Sequence, residues 1–156
     1  LQKFRADNLS EIIIVYINYG RGSEEFLKMV IGEAVRRLHE MHAKRVLELL
    51  LELCPHTFLR LGYNINPIEF SQVIFPYIIK HLGAHHYNLR NLRSILNYML
   101  EHSIGDQNVY ELISGEFAKL HKEADNQAFS DVYYALAESG ISSNSLYVGF
   151  ESKIIE

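Results

Sequence analysis

The residues best suited to chemistry are the histidines, one cysteine, a Gly-Arg-Gly turn and scattered basic side chains. His81, His85 and His86 lie close together, and two histidines one helical turn apart can hold a metal on one face. Gly83 falls between His81 and His85 and ends the helix there. No Asp, Glu or Cys stands nearby at ligand spacing, so no metal site is expected. His39-Glu40-Met41-His42 lacks the spacing of the zinc protease motif. Cys54, the single cysteine, leaves no partner for an internal disulfide or a cysteine zinc site. It precedes Pro55 at an apolar helix end and reads as a small buried residue. Gly20-Arg21-Gly22 has no strand before it and no third glycine in place, so it reads as a helix stop rather than a phosphate loop. No cofactor fingerprint is present and no enzyme is expected. Glu24 and Glu25 suit a helix first turn.

The basic residues carry the remaining signal. Arg36, Arg37, Lys44 and Arg45 surround one helix-pair junction, and Lys80, Arg90 and Arg93 surround the next. In a stacked array such junctions fall along one edge and make a discontinuous basic stripe able to track RNA phosphates. Tyr63, Tyr87 and Tyr98 would serve as stacking partners if exposed. The plainer reading is a set of solvated helix ends, where cations are favoured anyway. Formal net charge is −4. Residues 1–100 hold 12 Lys/Arg against 9 Asp/Glu, and residues 101–156 hold 3 against 10. That asymmetry suits separate partners at the two ends, or only variation among solvated helix faces.

The elements that must position these residues repeat. The pattern large-x-x-large-large-x-x-large occurs four times: Leu9, Ile12, Ile13, Tyr16; Ala43, Val46, Leu47, Leu50; Leu92, Ile95, Leu96, Met99; and Phe129, Val132, Tyr133, Leu136. Each copy is followed by a breaker and a second helical segment. The pairs run Asn8–Tyr19 with Ser23–Glu40, His42–Cys54 with Pro67–Leu82, Asn88–Ser103 with Asp106–Glu123, and Asn126–Ser139 with Ser142–Glu156. Ser23 and Asp106 suit N-caps. Pro55 stops one helix, the stretch 55–66 is a long connection, and Pro76 is expected to kink its helix.

The expected fold is all-α: an α-solenoid of about four helix-turn-helix repeats, right-handed, in a single helical-repeat domain over 1–156. No apolar run approaches the roughly 20 residues that span a membrane, so no membrane insertion is expected. No secretory pattern opens the chain, which starts on Leu rather than Met. Its last residues, Ile154-Ile155-Glu156, stop inside an apolar pattern without a cap. A piece of a longer chain or a subunit of a larger assembly is expected.

Val109–Phe117 leading into Phe129–Gly140 resembles the helical repeats of octotricopeptide and heptatricopeptide proteins, and the repeat region of FAST-kinase-like proteins that often carry a RAP domain. Ala135-Leu136-Ala137-Glu138-Ser139-Gly140 is similar to the Ala-Leu-Ala-x-x-Gly-like ending of those repeats. Tyr19-Gly20 keeps the glycine; Leu53-Cys54 and Leu100–Ser103 do not. The detailed likeness covers residues 108–150, and no RAP domain is visible. The resemblance implies a mitochondrial protein, with plastid or cytoplasm as alternatives. It further implies a non-catalytic scaffold subunit of a ribonucleoprotein concerned with ribosomes, RNA processing or editing. The expected partners are RNA, protein subunits of a large complex, or both, with no small-molecule substrate. The acidic C-terminal half departs from an RNA tracker and favours protein contact there. The alternative is a protein–protein adaptor with no RNA contact.

Overall fold

Helix-stop glycines and polar caps cut the chain into short helices whose apolar stripes then pair. In a computed structural model, residues 1, 3–120, 126–140 and 151 are described. Among them the chain is all-α, with eight α-helices, one 3-10 turn and no strand. It divides within the fifth helix into two compact units, residues 1–80 and 81–156.

The first unit contains α1 (Ala6–Tyr19), α2 (Glu24–Arg36), a 3-10 turn (Leu38–Glu40), α3 (Ala43–Glu52), α4 (Pro55–Leu61) and most of α5 (Pro67–Gly83). Gly20 ends α1 in the left-handed region at φ 59°, and its N–H donates to the Tyr16 carbonyl at 3.0 Å. Gly22, at φ 120°, lies against the Tyr16 ring, where a Cβ would stand 2.1 Å from a ring carbon. Ser23 then caps α2, its hydroxyl accepting from the Phe26 N–H at 3.2 Å. Leu9, Ile13 and Ile17 of α1 are buried, and α1 packs on α2, the 3-10 turn and α3. Val46, Leu49 and Leu50 are the matching buried face of α3.

The stretch 55–66 is not simply a connection. Pro55 opens α4 at a position where its missing N–H costs nothing, and Gly62 closes it at φ 68°. Phe58 anchors this seven-residue helix, only 2 % exposed. One anchor is too few for a periodicity to register. The segment after α4 is tied to the α1–α2 turn. The Tyr63 hydroxyl donates to the Gly22 carbonyl at 3.0 Å, and the Asn64 N–H donates to Glu24 at 3.2 Å. The Asn66 side chain accepts from the Ile68 N–H at 3.1 Å and starts α5. That helix runs through solvent-facing Pro76 to Gly83 and buries Ser71, Ile74, Phe75, Ile78 and Leu82.

The second unit contains α6 (Leu89–His102), α7 (Gln107–Leu120) and α8 (Asn126–Glu138). Asn88 and Asn91 exchange side-chain and backbone hydrogen bonds at 2.9 and 3.2 Å, a reciprocal cap for α6. Gly105, at φ 93°, breaks the chain, and Asp106 caps α7 by accepting from the Val109 N–H at 3.1 Å. The third copy is wholly interior: Leu92, Ile95, Leu96 and Met99 are all buried. The fourth buries Phe129, Val132 and Leu136. Helix α6 packs on α8, and α7 packs on both. Phe117 and Phe129 bring their rings to 5.1 Å. The expected eighth segment, Ser142–Glu156 with its stripe Leu146, Phe150 and Ile154, lies outside the described residues except for Glu151.

Candidate macromolecular interface

The seven basic residues singled out by sequence occupy helix ends and outward faces, and most meet a carboxylate there. Arg36, the last residue of α2, forks onto Glu33 at 2.7 and 3.0 Å. Arg37 follows the helix and forks onto Glu40 at 2.6 and 3.0 Å. Its remaining nitrogen donates to the Phe4 carbonyl at 2.9 Å, and its side chain is only 12 % exposed. Arg45 bonds Glu48 at 2.7 Å and also Glu11 of α1. Lys44 stands 3.8 Å from Glu48. Arg93 of α6 pairs with Asp131 of α8 at 2.9 Å. Only Lys80 and Arg90 are exposed and make no ion pair among the described residues.

These pairs reshape the charges themselves. The hydrogen bond from Arg36 holds Glu33 below the usual carboxylate range, and Arg37 does the same to Glu40. The arginines are pushed further up in return, Arg45 chiefly by its bond to Glu48. A guanidinium closed onto a carboxylate must break that bond, or share it, before it can serve a phosphate. Arg37 and Arg45 are thereby drawn onto the N-terminal segment and α1, where they act as ties within the fold.

The stacking candidates divide. Tyr87 and Tyr98 are each 5 % exposed and closed to a base. Burial pushes the Tyr87 phenol well up. Tyr63 is half-buried and bonded to Gly22.

The histidines form contacts that their spacing did not announce. His81 and His86 face each other with Nδ1 atoms 3.0 Å apart. His85 turns aside at φ 61°, and its Nδ1 lies 2.6 Å from Glu116 of α7. Lys119 donates to the same Glu116 oxygen at 2.9 Å. The Glu116 side chain is 6 % exposed. Burial alone would raise its pKa, but the bonds from Lys119 and His85 outweigh that and lower it. In the first unit Asp7 takes the His42 N–H at 3.1 Å and lies 2.6 Å from the His42 ring, so it caps α3 from outside the helix. Burial again opposes ionisation, and the His42 bonds prevail and lower the Asp7 pKa. Among the described residues no three His, Cys, Asp or Glu side chains come together as a metal site, and no helix is long and apolar enough to cross a membrane.

Two features were not singled out by the sequence. One is the buried Glu116, placed three residues after Ile113 on the apolar side of α7. The other is an open groove between α6 and α8, where Leu100 and Ala135 supply apolar surface and Arg93, Asn97, Ser130, Asp131, Tyr134 and Glu138 the polar and aromatic lining. Large apolar side chains also stand in solvent. In the first unit these include Val15, Tyr19, Met29, Leu59, Ile68 and Val73, with Tyr19 at 75 % and Leu59 at 78 % exposed. No family model, curated protein or solved structure matches this chain.

Proposed function

We propose that this chain is a non-catalytic scaffold subunit of an organellar, mitochondrial ribonucleoprotein assembly. Its four helix-turn-helix repeats would form an α-solenoid held in place chiefly by protein contacts. RNA would be touched only where cations are left open. The observation that carries this reading is the state of the charges. Arg36, Arg37, Arg45 and Arg93 are each closed onto a carboxylate within 3 Å, while Tyr19, Leu59 and Ile68 stand exposed. Paired guanidiniums are poor phosphate ligands, whereas exposed aromatic and aliphatic side chains are what a protein partner covers. The ribonucleoprotein setting comes from the repeat resemblance. Lys80 and Arg90 are the cations best placed for RNA.

A second reading, an adaptor with no RNA contact, is favoured by the same ion pairs. Titrating single-stranded oligouridine against the purified chain at several salt concentrations separates the two. Phosphate contact by Lys80 and Arg90 alone gives a log–log salt slope of about −1.4, and contact by six cations gives about −4. The scaffold reading expects the shallow slope, abolished in Lys80→Glu/Arg90→Glu and kept in Arg36→Glu/Arg37→Glu. No binding at low salt would favour the adaptor. A steep slope lost with Arg36 and Arg37 would place RNA on the junction arginines and overturn the protein-first reading.

A further inference from the structure

The groove between α6 and α8 encloses about 320 Å³ and opens to solvent. Repeat register explains its lining. Arg93 and Asn97 stand one and five positions after the anchor Leu92; Ser130 and Tyr134 stand one and five after Phe129. The anchors turn inward, so these four positions face each other across the two helices.

Its electrostatics are specific. Asp131 accepts from Arg93 at 2.9 Å and from the Gln127 amide at 2.9 Å, so Arg93 and Asp131 neutralise each other. Glu138 has no cationic partner among the described residues. Its neighbour one turn back is the Tyr134 hydroxyl, a neutral donor whose pKa the Glu138 side chain pushes up. The Tyr134 ring is 64 % exposed. The groove therefore holds one uncompensated carboxylate beside an open aromatic face and the Ser130 hydroxyl on α8, with the Asn97 amide opposite on α6. A phosphate would meet net negative charge and no open cation. A purely aliphatic guest would suit Leu100 and Ala135 but leave Glu138 and Asn97 without partners, whereas an arginine brings both an aliphatic stem and a charged head.

We propose that this groove receives an arginine side chain from a basic segment of a partner protein. The guanidinium lies over the Tyr134 ring and donates to Glu138. Planar Arg fits better than Lys, because it stacks and forks at once. The inference deepens the protein-contact reading and rests on it.

The test is two-dimensional NMR of the whole chain, 15N-labelled, titrated with acetyl-Gly-Ala-Arg-Ala-Gly-amide. A matched peptide carries citrulline, which keeps the shape and loses the charge. Expected are saturable shifts centred on the amides of Asn97, Ser130, Tyr134 and Glu138, absent with citrulline. Glu138→Gln and Tyr134→Ala should each weaken binding about fivefold, as loss of a modest cation–π or charge contact would. Both positions face solvent, and circular dichroism checks that the helices persist. Equal shifts with citrulline would overturn the proposal. So would arginine-dependent shifts spread over the acidic surface and indifferent to both variants. Oligouridine moving the same four amides would make the groove an RNA site instead. Failure here leaves the scaffold reading standing if the native assembly still shows protein crosslinks to this chain; loss of those crosslinks would remove both.

Discussion

The two units carry opposite formal balances and cancel them the same way, by internal ion pairs. Residues 1–80 hold 10 Lys/Arg against 9 Asp/Glu, and residues 81–156 hold 5 against 10. The N-terminal unit is basic at its helix junction, yet Arg36, Arg37 and Arg45 are all internally paired. The C-terminal unit is acidic by count, yet Glu116, the most buried carboxylate among the described residues there, is matched by His85 and Lys119, and Asp131 by Arg93. Formal charge therefore says little about available charge. Of the junction and groove charges, Lys80 stays open on one unit, and Arg90 and Glu138 on the other.

Core substitutions should break both units hardest. Leu50→Ala in the first and Leu96→Ala in the second each remove a side chain with no exposure. Each should cost about 2–5 kcal/mol by denaturant unfolding. If the units unfold independently, each variant should shift one transition and spare the other. Next in size is Gly22→Ala. The new methyl meets the Tyr16 ring at 2.1 Å in a left-handed backbone, and should cost about 1–3 kcal/mol. Gly32, with nothing within 4 Å, is the control: Ala there should be neutral or slightly stabilising.

A smaller effect in the second unit depends on pH, as Asp7 makes one in the first. Glu116 is held below its ordinary value of 4.5, so the ionised carboxyl stabilises the fold at and above that pH. The contribution fades as pH falls through the depressed folded value. Glu116→Gln should cost about 1–2 kcal/mol at pH 7 and progressively less in acid. A cost independent of pH would mean that the ion pairs do not set its worth. Smallest is Arg36→Gln. Arg36 is 64 % exposed and Glu33 keeps Arg37 at 3.9 Å, so the denaturant midpoint should not move measurably.

Much of this was legible in the sequence because it rests on local pattern. The four anchor sets mark helices, and Ser23, Asn88 and Asp106 mark starts. Helix α4 escaped because seven residues with one buried anchor carry no period. Glu33, Glu40 and Glu48 each stand three residues from their arginine, a spacing that helical neighbours share, so those pairs were readable in principle. The bonds from Arg45 to Glu11 and from Asp7 to His42 were not, since they depend on which helices pack. Glu116 had a local sign: a carboxylate set among Ile113 and Phe117. The α6–α8 groove follows only once both anchors are known to turn inward.

Crosslinking with mass spectrometry on the native assembly, with and without ribonuclease, bears most directly on the scaffold reading. Protein crosslinks to this chain should survive ribonuclease, and RNA adducts should gather at residues 80–90. Adducts concentrated at Arg36, Arg37, Lys44 and Arg45, with protein crosslinks lost on digestion, would contradict it.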